Sequence, residues 1–104
     1  MSSKFTVVRI YLSESEIDLN NLLAHLHDEE RVHGVTVFRG IGGFGKSGKI
    51  HGASLIDAAF DLPIVVEFYE TETRAHTVMS MIQEKFNLSH MIYWNAQGWE
   101  ASNA

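Results

Sequence analysis

The order in which strand-like and helix-like hydrophobic patterns alternate most constrains how this chain can fold. Runs of β-branched and aromatic residues predict four strands, at residues 5–12, 35–41, 62–69 and 91–99. Apolar residues with helical spacing follow the first and the third run, and each set predicts a helix with one apolar stripe. The stripes consist of Leu19, Leu22, Leu23 and Leu26 in the first helix and of Ala75, Val78, Met79, Ile82 and Phe86 in the second.

Polar residues at the ends of these patterns predict the helix boundaries. Ser13, with Glu16 three residues later, forms a capping box for the first helix. We expect this helix to end near His33, with Gly34 in the left-handed conformation that closes it. Residues 71–73 open the second helix, and Asn87 closes it.

The resulting order predicts an α+β domain with the ferredoxin-like βαββαβ arrangement, in which a four-stranded antiparallel sheet carries both helices on one face. A length of 104 residues corresponds to one domain, residues 1–104. A domain near this size buries roughly two thirds of the surface that its unfolded chain exposes, so it can fold alone.

The strands carry apolar side chains on both faces of the predicted sheet. On the first and third strands, the face away from the helices holds Phe5, Val7, Tyr11, Val65 and Tyr69. In a monomer this face would be wetted and mostly polar. Two helices cover one face only, so we expect another copy of the chain to cover the second. The alternative is a monomer with a few large exposed residues. At this interface Arg9 is expected to form an ion pair with Glu67.

Residues 40–47 match two phosphate-loop patterns, G-x-x-x-x-G-K-S and G-x-G-x-x-G. Both patterns require a strand before the loop and a helix after it. Here Gly48 and Gly52 interrupt the segment in which that helix would begin, which argues against an NTP hydrolase.

The same loop can still hold an anion through the amides of residues 42–45 and nearby cations. The alternative is a solvated loop without a ligand. The candidate ligand-binding residues are Arg39, Gly40, Gly42, Gly43, Phe44, Gly45, Lys46, Lys49 and His51.

Composition excludes several classes of protein. A net charge of −5 with eight basic residues disfavours nucleic-acid binding, which needs clustered Lys and Arg. The absence of cysteine excludes disulfides and thiolate metal sites and suits the cytosol. No apolar run has the length of a membrane span, and no cleavable signal pattern is present, so we expect a cytoplasmic protein without direct membrane insertion.

The most specific motif is R-G-I-x-G-F-G at residues 39–45, followed by Ile50-His51 and by the strand that begins at Asp61. With Arg9-Ile10-Tyr11 and the closing strand, these residues resemble the PII-like family known as domain of unknown function 190. That family is similar in fold to PII signal-transduction proteins and to the divalent-cation tolerance proteins. The resemblance covers almost the whole chain.

The resemblance implies a homotrimer whose sheets pack around a common axis. It further implies a small anionic ligand, such as ATP, ADP or AMP, in clefts between subunits. The loop after the second strand, residues 42–60, would contact a regulated transporter or enzyme. One feature departs from PII proteins, which also hold phosphates with a Gly- and Lys-bearing turn and basic residues in the last strand. Here the turn is Phe86-Asn87-Leu88-Ser89-His90, and the last strand has no Lys or Arg. The loop from Gly40 to His51 would therefore supply most of the donors.

Two other functions remain open at this point. In a small enzyme with an intersubunit active site, His51 would be the general acid or base, and Arg39 or Lys46 would hold the anion. Metal binding is the other, because the chain has six histidines. His25 and His27, two residues apart on a helix, point in different directions, and neither has a partner at i+4. No catalytic residues are assigned.

Overall fold

The computed structural model describes residues 2–13, 18–44, 51–52, 62–88 and 90–100. In chain order its elements are β1 (Ser2–Ser13), α1 (Leu19–Ala24) continued by a π-helical turn (His25–Glu29), β2 (Val35–Arg39), β3 (Gly42–Gly43), β4 (His51–Gly52), β5 (Pro63–Glu70), α2 (Glu72–Phe86) and β6 (Met91–Trp99). None of the described helices is long and apolar enough to cross a membrane.

Four of these strands form one antiparallel sheet in the order β2-β5-β1-β6. The first and third long strands of the chain, β1 and β5, lie in the centre, and β2 and β6 form the edges. This is the strand order of a ferredoxin-like α+β domain, and it confirms the predicted fold class. Within the described ranges, the short strands β3 and β4 form a separate two-stranded sheet.

The core lies between one face of the sheet and the two helices. Residues of β1 alternate strictly, so that Val8 and Ile10 are fully buried while their neighbours are partly exposed. The predicted stripe of α1 faces this layer, with Leu22 and Leu26 buried and Leu19 and Leu23 packed against the cluster. The remaining buried apolar residues are Leu12, Ile64, Val66, Phe68, Ala75, Val78, Met79, Ile82 and Leu88.

The boundaries of the first helix differ from the prediction. Ser13 belongs to β1, where it pairs with Pro63, and Glu16 lies outside the described residues. The helix is capped instead by Asp18, whose Oδ1 accepts hydrogen bonds from the backbone of Asn20 at 3.0 Å and Asn21 at 3.3 Å. After the π-helical turn, Arg31 rather than Gly34 adopts the left-handed conformation, with φ of 53°.

The second helix matches the prediction. Thr71 precedes it, and Asn87 closes it in the left-handed conformation with φ of 51°. The Asn87 N–H donates to the Gln83 carbonyl at 2.9 Å, which satisfies one of the carbonyl groups of the last turn.

Candidate functional site

The glycine run begins where the edge strand β2 meets the start of β5. The N–H of Gly40 donates to the Pro63 carbonyl at 2.8 Å. A Cβ atom at position 40 would lie 2.7 Å from Cγ of Pro63 and 3.4 Å from its carbonyl oxygen. This contact leaves no room for a larger residue than glycine, so the first glycine of the motif has a packing role.

The next two glycines form a short ribbon with the residues that follow the loop. Gly42 pairs with Gly52 and Gly43 with His51, in antiparallel orientation, so that residues 44–50 connect the two strands. A phosphate loop instead leads from a strand into a helix that carries the chain away from the sheet. The antiparallel return of the chain agrees with the argument from the sequence that this loop is not the phosphate loop of an NTP hydrolase.

The candidate residues that the structure describes lie together at one end of the sheet. Arg39 is the exposed last residue of β2, and Gly40, Gly42 and Gly43 follow it directly. Phe44 is 73% exposed, and Ile41, between the glycines, is 81% exposed. For His51 only the backbone is described, opposite Gly43. Gly45, Lys46 and Lys49 lie outside the described residues, and the ligand roles of all nine candidates stay predictions.

The turn before β6 lies at this same end of the sheet. The N–H of Tyr11, near the end of β1, donates to the His90 carbonyl at 3.0 Å, and the two rings have centroids 5.3 Å apart. The adjoining Leu88 is buried in the core. This turn is therefore anchored to β1, next to the strand that begins at Pro63.

The sheet face away from the helices, called the open face below, is largely apolar. The pairing of β1 with β5, and of β2 and β6 with these central strands, brings the side chains of this face together. They include Phe5, Val7, Arg9, Tyr11, Thr36, Phe38, Val65, Glu67, Tyr69, Ile92, Trp94 and Ala96. Several remain substantially exposed, including Phe38 at 47%, Tyr69 at 44% and Trp94 at 41%. Such a continuous apolar surface is typical of an interface.

An ion pair lies in the middle of the open face. Nε of Arg9 is 2.7 Å from Oε1 of Glu67, directly across the β1–β5 pair, which confirms the pairing expected from the sequence. The hydrogen bond to Glu67 is the main reason why the pKa of Arg9 is raised, and Tyr11 adds to it. The guanidinium also lies 5.9 Å from the centroid of Phe38 and 5.6 Å from that of Trp94, within range of cation–π attraction.

The histidines are dispersed through the described part of the chain. His25 is buried, and the side chain of His27 is 88% exposed, so the two point in different directions as expected. Contrary to the expectation, His25 has a partner at i+4, because its Nδ1 contacts Oε2 of Glu29. His33 lies beyond the first helix, and its Nδ1 is 2.8 Å from the carboxylate of Glu70. Among the described residues, no group of three or more His, Asp or Glu side chains could hold a metal ion.

Two parts of this arrangement were missed in the sequence. The packing of Gly40 on Pro63 joins residues far apart in the chain, and its only sequence signal is that the single proline starts a strand. The aromatic pair around Arg9 depends on the register of three strand pairings, β2–β5, β5–β1 and β1–β6, which hydrophobic alternation alone does not give.

Comparison with known proteins identifies the relatives of this chain. The DUF190 family model, described as "Uncharacterized ACR, COG1993", matches residues 5–97. Two proteins of Aquifex aeolicus (strain VF5), each named "UPF0166 protein", are similar in sequence. One is 28% identical over 97 residues, covering 93% of this chain and 99% of the relative. The other is 32% identical over 88 residues, covering 81% and 84%.

Solved structures with the same fold include CPII, a nitrogen regulatory PII-like protein from Thiomonas intermedia K12, bound to ADP, AMP and bicarbonate. It has a TM-score of 0.70 at 18% identity and covers 94% of this chain and 91% of its own. A putative PII-like signaling protein from Thermus thermophilus has a TM-score of 0.60 at 18% identity, with 95% and 91% covered. At these identities, the similarity shows the PII-like fold.

Proposed function

The chain belongs to the DUF190 family, and from this membership and its PII-like fold we propose that it is a cytoplasmic PII-like regulatory protein. It works as a homotrimer that binds a small anionic ligand, an adenine nucleotide, at the clefts between subunits. Ligand binding changes the loop of residues 42–60, which signals to a regulated transporter or enzyme.

The observation that carries the proposal is the position of the glycine run at the rim of the open face. The run follows β2, an edge strand whose Phe38 lies on this face. A second copy that covers the open face therefore reaches the edge at which Gly40, Gly42 and Gly43 lie, next to Arg39, which pairs with Ile64 on the helix side of β2. The ligand would bind at this boundary and contact two subunits.

The chemistry of these residues suits an anion. Glycines allow backbone N–H groups to approach a phosphate without a Cβ in the way, and Arg39 adds a guanidinium that can bind oxygen atoms in pairs. Lys46 and Lys49 of the same sequence motif add two further positive charges. CPII, with the same fold, was solved with ADP, AMP and bicarbonate, which makes these three compounds the first probes to use.

The proposal is tested by titrating the purified protein with ADP, AMP and ATP, each with and without bicarbonate, while following thermal unfolding. A ligand of the native state stabilises it by about 2.7 kcal/mol at a hundredfold excess over its dissociation constant. We expect at least one nucleotide to raise Tm and Lys46→Ala to weaken its binding by about tenfold, the equivalent of 1.4 kcal/mol. Lys4→Ala is the matched control, because Lys4 pairs with Gln97 on β6, far from the glycine run.

Two results would overturn the proposal. If neither nucleotides nor bicarbonate shift Tm, and Lys46→Ala has no effect, the loop does not bind this class of ligand. If the nucleotide is instead converted to product, and conversion is lost in His51→Ala, the protein is an enzyme and His51 its acid or base.

A further inference from the structure

A buried polar cluster joins the π-helical turn to α2. His25 and Glu30 are only 7% and 6% exposed, although both can carry charge. Nε2 of His25 lies 2.8 Å from Oε2 of Glu30. The other oxygen, Oε1, is 3.6 Å from the Arg74 guanidinium, which also donates to the backbone carbonyl of Glu30. An ionised carboxylate can only accept hydrogen bonds, so in a contact with ionised Glu30 the Nε2 of His25 is the atom that carries the proton and donates it.

The other ring nitrogen of His25 faces two partners of opposite charge. Nδ1 is in direct contact with Oε2 of Glu29, and Nζ of Lys85 lies 3.3 Å from the same Nδ1. Nζ of Lys85 is also 3.3 Å from Oε2 of Glu29. A protonated Nδ1 can donate only to Glu29, whereas an unprotonated Nδ1 can accept only from Lys85. The cluster therefore has two hydrogen-bonded arrangements that differ by one proton, and in the one with an unprotonated Nδ1 the carboxylate of Glu29 must move away from the ring.

We propose that this cluster is a proton-responsive contact between the two helices, in which the proton on Nδ1 of His25 determines the partner of Lys85. When His25 is charged, it bridges Glu29 and Glu30, and Lys85 binds Glu29 alone. When His25 is neutral, Lys85 donates to its Nδ1. The charge change of an unperturbed imidazole falls between about pH 5 and 8, so this is the range over which the exchange is tested.

The surroundings of His25 allow this exchange. Hydrogen bonding and attraction by Lys85, followed by His25, lower the pKa of Glu29, which therefore remains an acceptor across this pH range. Asp28 lines the same cleft, and the ring of Phe86 meets His25 edge-on at 5.6 Å. The cleft, of about 540 Å³, is open to solvent, from which the proton comes.

The contact is placed to affect the end of the sheet that holds the glycine run. Lys85 lies in the last turn of α2, and Asn87 closes the helix two residues later. The chain then reaches His90, whose carbonyl binds the N–H of Tyr11. The partner of Lys85 thus determines how the π-helical turn contacts the C-terminal turn of α2. This regulation by pH goes beyond nucleotide binding.

Nuclear magnetic resonance tests the proposal on the full chain. The ring nitrogens of His25 and the side-chain resonances of Lys85 are followed from pH 5 to 8. We expect the neutral ring to carry its proton on Nε2, and the Lys85 resonances to shift with the same midpoint as the His25 ring.

In His25→Gln the amide can donate to Glu30 and its oxygen can accept from Lys85. This variant mimics the neutral state, and the Lys85 shift between pH 5 and 8 should disappear.

His27→Gln is the matched control. The exposed His27 pairs with Asp28 at 2.7 Å, and its loss should leave the response of Lys85 intact. A neutral His25 protonated on Nδ1, or a Lys85 response that persists in His25→Gln, would overturn the proposal. The tautomer of His25 is measured in the wild-type protein. A neutral ring protonated on Nδ1 would therefore overturn the proposal even if His25→Gln fails to fold.

Discussion

At the scale of single residues, Gly40 joins the packing of the sheet to the candidate site. Its N–H is held by the Pro63 carbonyl, and the Pro63 ring fills the space that a side chain would need. The two strands β2 and β5 are thereby fixed at the point where the long connection between them leaves and returns. Gly34 lies at the other end of β2 and shows the opposite situation, since a Cβ built there would meet nothing within 4 Å.

This difference predicts distinct effects of two alanine substitutions. Gly40→Ala should lower the free energy of unfolding by about 1–3 kcal/mol, because the rigid Pro63 ring cannot move aside without shifting the backbone. Gly34→Ala should stay within about 0.5 kcal/mol of the wild type. Urea denaturation followed by circular dichroism measures both. Equal effects of the two substitutions would show that the contact with Pro63 does not constrain position 40.

At the scale of elements, the two helices show what could be predicted from sequence. The limits of α2 follow from its apolar period and from Asn87, a residue that tolerates the left-handed conformation. The end of α1 was predicted wrongly, because its last turn is π-helical. Glu30 joins this turn to His25 by a local contact and to Arg74 of α2 by a tertiary contact, and hydrophobic spacing in the sequence reveals neither. The left-handed position consequently falls on Arg31, which has no sequence signal for it.

The conformation of Arg31 predicts a stabilising substitution. The left-handed conformation costs a non-glycine residue roughly 1–2 kcal/mol, while glycine adopts it freely but loses about 0.5–1 kcal/mol of chain entropy. Arg31→Gly should therefore raise the free energy of unfolding by up to about 1 kcal/mol. Arg31→Ala removes the same side chain and keeps the backbone cost, so it should not stabilise. If both variants change stability equally in chemical denaturation, the side chain rather than the backbone determines the effect.

At the scale of the whole molecule, hydrophobic alternation predicted both the ferredoxin-like sheet and its two apolar faces. The inward positions Val8, Ile10 and Val66 are fully buried, while the open face keeps Phe38 and Trp94 exposed. The candidate site was less predictable for a physical reason. The candidate residues lie in one stretch of sequence, but their contact with Pro63 depends on strand register, and the proposed ligand cleft needs surfaces from two copies of the chain.

The open face predicts how assembly responds to a buried charge. Val65 lies on this face in the central strand β5, between Tyr11 and Phe38 on the neighbouring strands. If a second copy covers it, Val65→Asp places an unpaired carboxylate in an apolar interface, at a cost of about 1–3 kcal/mol or more.

Light scattering at micromolar concentration should then show a homotrimer for the wild type and a smaller, folded species for Val65→Asp. Met81→Asp is the control, because Met81 is 48% exposed on α2, away from the sheet, and this substitution should keep the wild-type mass. A wild type of monomer mass would mean that no second copy covers the open face. The intersubunit site would then be lost as well, because the glycine run would have no neighbouring surface with which to form a cleft.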